Sequence, residues 1–165
     1  MGLAGIGARP SMFHSTIERQ MDAKRRIVLP AEFRAVTAPF DGVYCFPSIE
    51  ADCVEVGGKA LFDDYLALIE GLPLGDPLRS SLETTVLGGM FQLSCDPAGR
   101  VTLPEILCDM FGLADWVSLV GLGKRFQIWS RDAFAAHRER ERLAAREGLR
   151  ALRLRQRGAP AGAAS

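Results

Sequence analysis

Two segments of the chain place an aspartate four residues before an arginine, and each ends in leucine and proline. The first is 22–30, DAKRRIVLP, and the second is 96–104, DPAGRVTLP. Aspartate favours a turn, because its carboxylate accepts hydrogen bonds from backbone N–H groups two residues further along. An arginine beside such a turn offers the paired donors that match guanine O6 and N7 in the major groove of DNA. The pattern therefore predicts a turn that presents a guanidinium to bases.

The first segment adds two further cations to this pattern. Lys24 and Arg25 directly precede Arg26, and only Asp22 opposes the three positive charges. We expect Arg26 to contact bases, and Lys24 and Arg25 to contact phosphates, which position a protein on DNA without reading its sequence. Asp22 would fix the turn through its own backbone or orient Arg26.

The second segment carries only Asp96 and Arg100 at the matching positions. For both segments another interpretation needs no ligand, since the aspartate and the arginine would form an intramolecular pair that stabilises the turn. This interpretation is the weaker one for the first segment, where three cations face one acid. It stays open for the second segment.

The two segments begin a longer repeat. Residues 22–36 and 96–110, laid over each other, share the aspartate, the arginine, the leucine and the proline. Each copy continues with a short helix after the proline, which suits the first turn of a helix, and then with strands around a glycine-bearing turn. Lys124 and Arg125 lie at the tip of the second predicted hairpin, where we expect them to be solvated.

Helices are predicted between and after the two copies. Apolar residues at helical spacing predict a helix over 59–70 that ends at Gly71, and Asp76 followed by Pro77 predicts the start of another. Residues 130–156 have a helix-forming composition with few apolar residues apart from alanine. They predict a solvated, arginine-rich helix.

The charge of the chain is uneven although its total is zero. Residues 131–157 contain nine arginines and four acidic residues, so this segment carries +5 and the remainder of the chain carries −5. The summed field of an acidic body does not attract a polyanion. Binding to nucleic acid would therefore depend on local cationic patches such as 24–26.

Composition and the absence of certain motifs indicate a folded protein that is neither a membrane protein nor an enzyme of a recognisable class. The chain has 165 residues with 48% hydrophobic and 24% charged residues, as in a folded domain. No apolar run approaches the roughly 20 residues of a membrane helix, and no secretory leader is recognisable, so we expect a cytoplasmic protein. The four cysteines form no CxxC pair, and no phosphate loop or serine elbow is present. We expect free thiols, no metal, no cofactor and no enzymatic activity.

Four ordered segments of the sequence carry a resemblance to a known family. They are MFHSTIERQMDAKRRIVLPAEFR, GLPLGDP, VLGGMFQLSCDPAGRVTLP and LVGLGKRFQIWSRDAF. They resemble the MraZ family of bacterial transcriptional regulators, which are built from two SpoVT-AbrB-type domains. The resemblance runs from about Met12 to Phe134 and includes both D-x-x-x-R motifs.

The resemblance implies a mainly β fold with short helices. Two AbrB-like swapped-hairpin units would form one pseudo-symmetric β-barrel, with a helical linker and a C-terminal helix. The implied boundaries are a disordered extension over 1–11, a first domain over 16–63, a helical linker over 64–89, a second domain over 90–133, and an arginine-rich helix with a disordered tail over 134–165.

The resemblance also implies a function. The chain would form a ring-shaped homo-oligomer, bind repeated elements in double-stranded promoter DNA, and repress its own division and cell-wall operon at the nucleoid. The family motif points to Asp22, Lys24 and Arg26 in the first copy and to Asp96 and Arg100 in the second. The alternative is an antitoxin-like module whose basic tail binds a protein partner.

The implied ring would cover exposed apolar side chains. Candidates are Phe126, Ile128, Trp129 and Phe134, some of which we expect in the core.

The first turn departs from the family pattern at one position. The family has glycine before the arginine, where the first copy has Arg25. Either Arg25 adds a phosphate contact, or the first turn is shaped differently.

Overall fold

The computed structural model describes residues 12–37 and 43–158 of the chain. The chain divides into two compact units, Met1–Arg131 and Asp132–Ser165. The predicted extension over 1–11 and the last residues of the predicted tail, 159–165, lie outside the described residues.

The first unit combines a large antiparallel sheet with several short helices. Its strands are β1 Thr16–Gln20, β2 Arg26–Val28, β3 Val43–Pro47, β4 Val54–Gly57, β5 Phe91–Leu93, β6 Arg100–Thr102, β7 Trp116–Gly121 and β8 Arg125–Ser130. Its helices are α1 Ala31–Thr37, α2 Lys59–Glu70, α3 Pro77–Leu82 and α4 Glu105–Phe111, and α3 continues into a π-helical turn over Glu83–Leu87.

Strands from the two copies are interleaved within one sheet, in which pairs of neighbouring strands from one copy lie beside strands of the other. The six-stranded sheet has the order β1-β7-β8-β4-β3-β5, and β2 pairs with β6 in a separate two-stranded ribbon. Exchanging each strand with its counterpart in the other copy reproduces the same set of pairings. Neither copy holds its strands alone, so the two copies form one body.

The ends of the six-stranded sheet are open. Among the described residues no pairing joins the edge strands β1 and β5. The chain therefore has an antiparallel sheet and a ribbon, and the closed barrel that the resemblance implies stays a prediction.

Two apolar clusters hold the unit together. The larger one lies between the ribbon, the sheet and the helices α1 and α4, and it includes Ile27, Leu29, Phe33, Val101 and Leu107. The central strands β4, β7 and β8 are buried along almost their whole length, whereas side chains of the edge strand β1 alternate between exposed and half-buried. This burial explains the nearly continuous apolar run in β7.

The segment between the copies is helical and packed. Helix α2 ends at Gly71, and the carboxylate of Asp76 accepts a hydrogen bond from the backbone of Leu78 at the start of α3, as the sequence predicts. Leu82 and Val86 pack in the second cluster with Phe46, Leu61 and Ile69. Leu78, four residues before Leu82 in α3, is instead 55% exposed.

The apolar residues that we expected a ring to cover are buried within the chain. Phe126, Ile128 and Trp129 are at most 2% exposed, and Phe134 is 8% exposed. These four side chains therefore give no support to an oligomer. The prediction that some of them belong to the core was correct.

The described part of the second unit is one long helix. Helix α5, Arg131–Gly158, begins one residue after the predicted capping serine and extends two residues beyond the predicted end. Phe134 is its only buried residue among those described. The remaining side chains lie in solvent, as expected for a helix with nine arginines.

Candidate nucleic-acid interface

The first D-x-x-x-R segment forms a tight turn organised by Asp22. Its Oδ1 accepts hydrogen bonds from the backbone N–H groups of Lys24 and Arg26, both at 2.9 Å. Its Oδ2 accepts one from Nε of Arg26 at 2.7 Å. Backbone hydrogen bonds from Asp22 to Arg26 and from Arg25 to Asp22 close the loop. Asp22 thus both fixes the turn and orients the arginine.

The second segment repeats this arrangement bond for bond. Oδ1 of Asp96 accepts hydrogen bonds from the backbone of Ala98 and Arg100, each at 2.9 Å. Oδ2 accepts one from Nε of Arg100, also at 2.9 Å. The backbone bonds between Asp96, Gly99 and Arg100 match those of the first turn. The two turns have the same geometry.

This match answers the question raised by Arg25. Arg25 has φ +59° and Gly99 has φ +81°, so both occupy the left-handed region. The alternative that the first turn is shaped differently is therefore wrong. A side chain in this region costs about 1–2 kcal/mol, and a hydrogen bond from Nε of Arg25 to the carbonyl oxygen of Leu103, at 3.2 Å, partly offsets that cost.

Both turn aspartates are stabilised in their charged form. The backbone N–H of Arg26 is the largest influence that lowers the pKa of Asp22, and the Arg26 side chain acts in the same direction. Arg100 lowers the pKa of Asp96 in the same way, through its backbone first and its side chain second. Each aspartate therefore stays ionised beside its arginine at neutral pH.

The arginines retain donors for a ligand. Arg26 and Arg100 each contact their aspartate through Nε, and their side chains are 32% and 39% exposed. Within the described part of the chain, no hydrogen bond or ion pair involves the terminal amino groups of either guanidinium. Lys24 is exposed beside Arg26. The turns combine fixed guanidinium groups with free terminal donors.

The ribbon of β2 and β6 ties the two turns together. Ile27 pairs with Val101 at its centre, and these side chains are 1% and 2% exposed. Beyond the strands, the backbone N–H of Leu29 donates to the Gly99 carbonyl oxygen at 2.9 Å, and that of Leu103 donates to the Arg25 carbonyl oxygen at 2.8 Å. Each turn is thus bonded to the chain that leads into the helix of the other copy.

A second polar site lies where β4 and β8 meet, and the sequence patterns did not reveal it. Glu55 is 1% exposed and pairs in register with Gln127, whose Nε2 donates to its Oε1 at 2.7 Å. Nε of Arg125 lies 3.0 Å from the other carboxylate oxygen. The expectation that Arg125 is solvated is therefore wrong, whereas Lys124 beside it is 77% exposed. A glutamate within the apolar strand VEVG was the available signal.

Two other kinds of site, for a metal ion and for a membrane span, have no candidate among the described residues. Over residues 12–37 and 43–158, no group of three or more His, Cys, Asp or Glu side chains is placed to hold a metal ion. In the same part of the chain, no helix combines the length and the apolar character needed to span a bilayer.

Comparison with known proteins identifies the family. A family profile described as "MraZ protein, putative antitoxin-like" matches residues 86–154. A protein of Phenylobacterium zucineum named transcriptional regulator MraZ is 69% identical over 149 residues, which cover 90% of this chain and 93% of that protein. The chain belongs to the MraZ family.

Two further members of the MraZ family are also similar to this chain over most of their length. A Caulobacter vibrioides protein of the same name is 66% identical over 90% of this chain and 96% of its own length. One from Xanthobacter autotrophicus is 39% identical over 76% of this chain and 81% of its own length. The MraZ profile match begins at residue 86, so it includes the second turn and not the first.

Proposed function

We propose that this chain is a sequence-specific DNA-binding transcriptional regulator that contacts DNA through its two D-x-x-x-R turns. The observation that carries the proposal is the duplicated turn, in which an aspartate holds an arginine through Nε and leaves its terminal amino groups free. The names of the relatives, transcriptional regulator MraZ, support the same function.

Different residues of each turn would make different contacts with DNA. Arg26 and Arg100 would donate to guanine O6 and N7, for which a bidentate guanidinium is suited. Lys24 would act as a point charge on a phosphate, and Arg25 would add a second backbone contact. Asp22 and Asp96 would position the arginines, because their oxygens are already occupied by donors of their own turns.

An oligomer would bring several turns to repeated DNA elements. One turn reaches few bases, and linking several turns raises affinity without new contacts. We propose a ring-shaped homo-oligomer of barrel-like bodies that represses its own operon for division and cell-wall proteins. Apolar side chains exposed on the helical linker support association: Leu68 is 54%, Leu74 is 86% and Leu78 is 55% exposed.

The proposal is tested by titrating a labelled DNA fragment from upstream of the chain's own gene across a salt series. Arg26→Ala should remove about 1–3 kcal/mol of discrimination against a scrambled fragment, a loss of roughly 5- to 150-fold per turn. Oligomer size, measured by light scattering, should not change. If Arg26→Ala still distinguishes the two fragments as the parent does, the turn does not read DNA.

Lys24→Ala provides a second measurement on the same turn. Because a phosphate contact carries no sequence information, this variant should weaken binding to both fragments alike and lower the salt slope by about one. Lys59→Ala is the matched control, since Lys59 is an exposed cation that lies outside both turns and pairs with Asp63. Equal slopes for Lys24→Ala and Lys59→Ala would reject a phosphate contact at Lys24.

One observation favours a second candidate function, an antitoxin-like module that binds a protein partner. The family description includes that term, and helix α5 exposes Leu143, Leu149, Leu152 and Leu154 among its arginines. In this case the full chain would not bind its upstream fragment even at low salt. If the chain binds its upstream fragment in a salt-sensitive way, and scrambled competitor DNA does not displace it, the result supports the transcriptional regulator over the antitoxin-like module.

A further inference from the structure

The two turns differ in which residue supplies their second guanidinium. A shift of 74 positions superimposes the first copy on the second in sequence, so that Arg25 corresponds to Gly99 and Arg34 corresponds to Cys108. In each pair one copy has arginine and the other has a small residue. In both pairs the arginine belongs to the first copy and the small residue to the second.

The exchanged positions meet in space. Strands β2 and β6 run antiparallel, so Arg26, which ends the first turn, lies opposite Thr102, near the start of α4. Arg100, which ends the second turn, lies opposite Val28, near the start of α1. Each turn is therefore next to the helix of the other copy.

At the first turn, the arginine comes from the turn and the small residue from the helix. The side chain of Arg25 extends to the carbonyl oxygen of Leu103, which precedes α4. Its charge reaches the thiol of Cys108 on that helix, where it opposes the rise in pKa that burial causes.

At the second turn, the arginine comes from the helix and the small residue from the turn. A Cβ atom built at Gly99 would lie 2.9 Å from Cζ and 3.0 Å from Cδ of Arg34, and it would overlap Nη1. Arg34 is half-buried, and its charge also reaches the thiol of Cys95 beside the turn. The guanidinium of Arg34 therefore occupies the space that a side chain at Gly99 would need.

The donors of Arg34 are available. Among the described residues, no carboxylate forms an ion pair with its guanidinium, and no hydrogen bond from its side chain is found. A guanidinium without an acceptor, packed over Gly99 in the turn that also holds Arg100, is suited to an anion with several oxygen acceptors.

We propose that Arg34 contacts a DNA phosphate beside the second turn, in the role that Arg25 has beside the first. This inference rests on the proposed function. It gives the second turn two guanidinium groups, Arg100 from the second copy and Arg34 from the first, so that both turns bind DNA with the same pair of contacts although their sequences differ. Arg34 lies on α1, outside the D-x-x-x-R motif whose turn it completes.

The first test compares Arg34→Met with Arg34→Lys in the salt-series titration. Methionine keeps an aliphatic side chain over Gly99 but removes the charge, so the salt slope should fall by about 0.9 for each second turn engaged. Arg34→Lys should keep the slope of the parent. The control Lys59→Met removes an exposed charge outside both turns and should leave the slope unchanged.

The second test moves the guanidinium. The double variant Arg34→Ala with Gly99→Arg copies the arrangement of the first turn, and it should restore the slope that Arg34→Ala alone loses. Gly99→Arg alone should unfold more readily than the double variant, because the new side chain overlaps Arg34.

The outcomes separate this inference from the proposed function. If Arg26→Ala loses binding while Arg34→Met keeps the salt slope of the parent, the second turn has no phosphate contact at Arg34 and the inference fails alone. Equal losses of affinity in Arg34→Met and Arg34→Lys with unchanged slopes would also overturn it, since they indicate a packing role. If Arg26→Ala binds as the parent does, the proposed function fails and this assignment with it.

Discussion

The buried ion pair between Glu55 and Arg125 should be a large single contribution to the stability of the body that carries both turns. Glu55 is 1% exposed at the β4–β8 seam, with Oε1 bonded to Gln127 and to Ser48 at 3.1 Å. Oε2 has no hydrogen bond and lies 3.0 Å from Nε of Arg125. Replacing Arg125 by methionine would leave this oxygen buried without any partner.

The expected loss follows from the burial of the pair. Removing one partner of a fully buried pair costs about 3–5 kcal/mol. The side chain of Arg125 is 31% exposed, so water can partly solvate the carboxylate in the variant. We therefore expect Arg125→Met to lower the free energy of unfolding by about 2–3 kcal/mol. With a urea m-value of roughly 2 kcal/mol/M, the unfolding midpoint should fall by about 1–1.5 M.

The assay is urea unfolding followed by circular dichroism at one fixed protein concentration, so that any association would affect every variant equally. A double-mutant cycle with Glu55→Gln should give a coupling of about 2 kcal/mol that persists in high salt, since buried pairs are weakly screened. Lys124→Met, at the exposed neighbour in the same hairpin, should change stability by less than about 0.5 kcal/mol. A midpoint for Arg125→Met within about 0.2 M of the control, or a coupling abolished by salt, would refute the reasoning.

Two further predictions concern titratable groups. Because the folded pKa of Asp22 and of Asp96 is lowered, the stability they contribute is present above their ordinary pKa of 3.8 and is lost as pH falls through the folded value. The double Asp→Asn variant should unfold more easily than the parent at pH 7 and converge with it in acid; parallel curves would contradict this. Burial raises the pKa of Cys45 and Cys53 to about 12, so a thiol reagent at pH 8 should label exposed Cys95 alone in the native chain. Labelling of a second thiol before unfolding would disprove it.

Much of the local structure could be predicted because its signals are short-range. Proline at the first helical turn, aspartate at an N-cap and glycine after a helix each act through neighbouring backbone groups. These signals place the helices that follow Pro30 and Pro104, the end of α2 and the start of α3. The same reasoning predicts that Asp22 either fixes its turn or orients Arg26, and in the structure its carboxylate does both.

Features that depend on long-range contacts could not be predicted in this way. The burial of Arg125 requires knowing that β8 pairs with β4, which brings Glu55 beside it. The placement of Arg34 over Gly99 requires knowing that β2 pairs with β6. Leu78 lies four residues before Leu82 in α3, yet only Leu82 packs in the second apolar cluster, and Leu78 is exposed.

The ribbon also determines when the candidate interface can form during folding. Its central pair joins Ile27 to Val101, so neither strand of the ribbon has its partner until most of the chain is available. Such non-local pairings close late and slow folding. At a synthesis rate of about 5–20 residues per second, the first copy waits for several seconds before the second emerges. During that time the Asp22 turn can close through its own hydrogen bonds, but β2 has no β6 to pair with. We therefore expect the two turns to be held side by side only after the second copy has emerged.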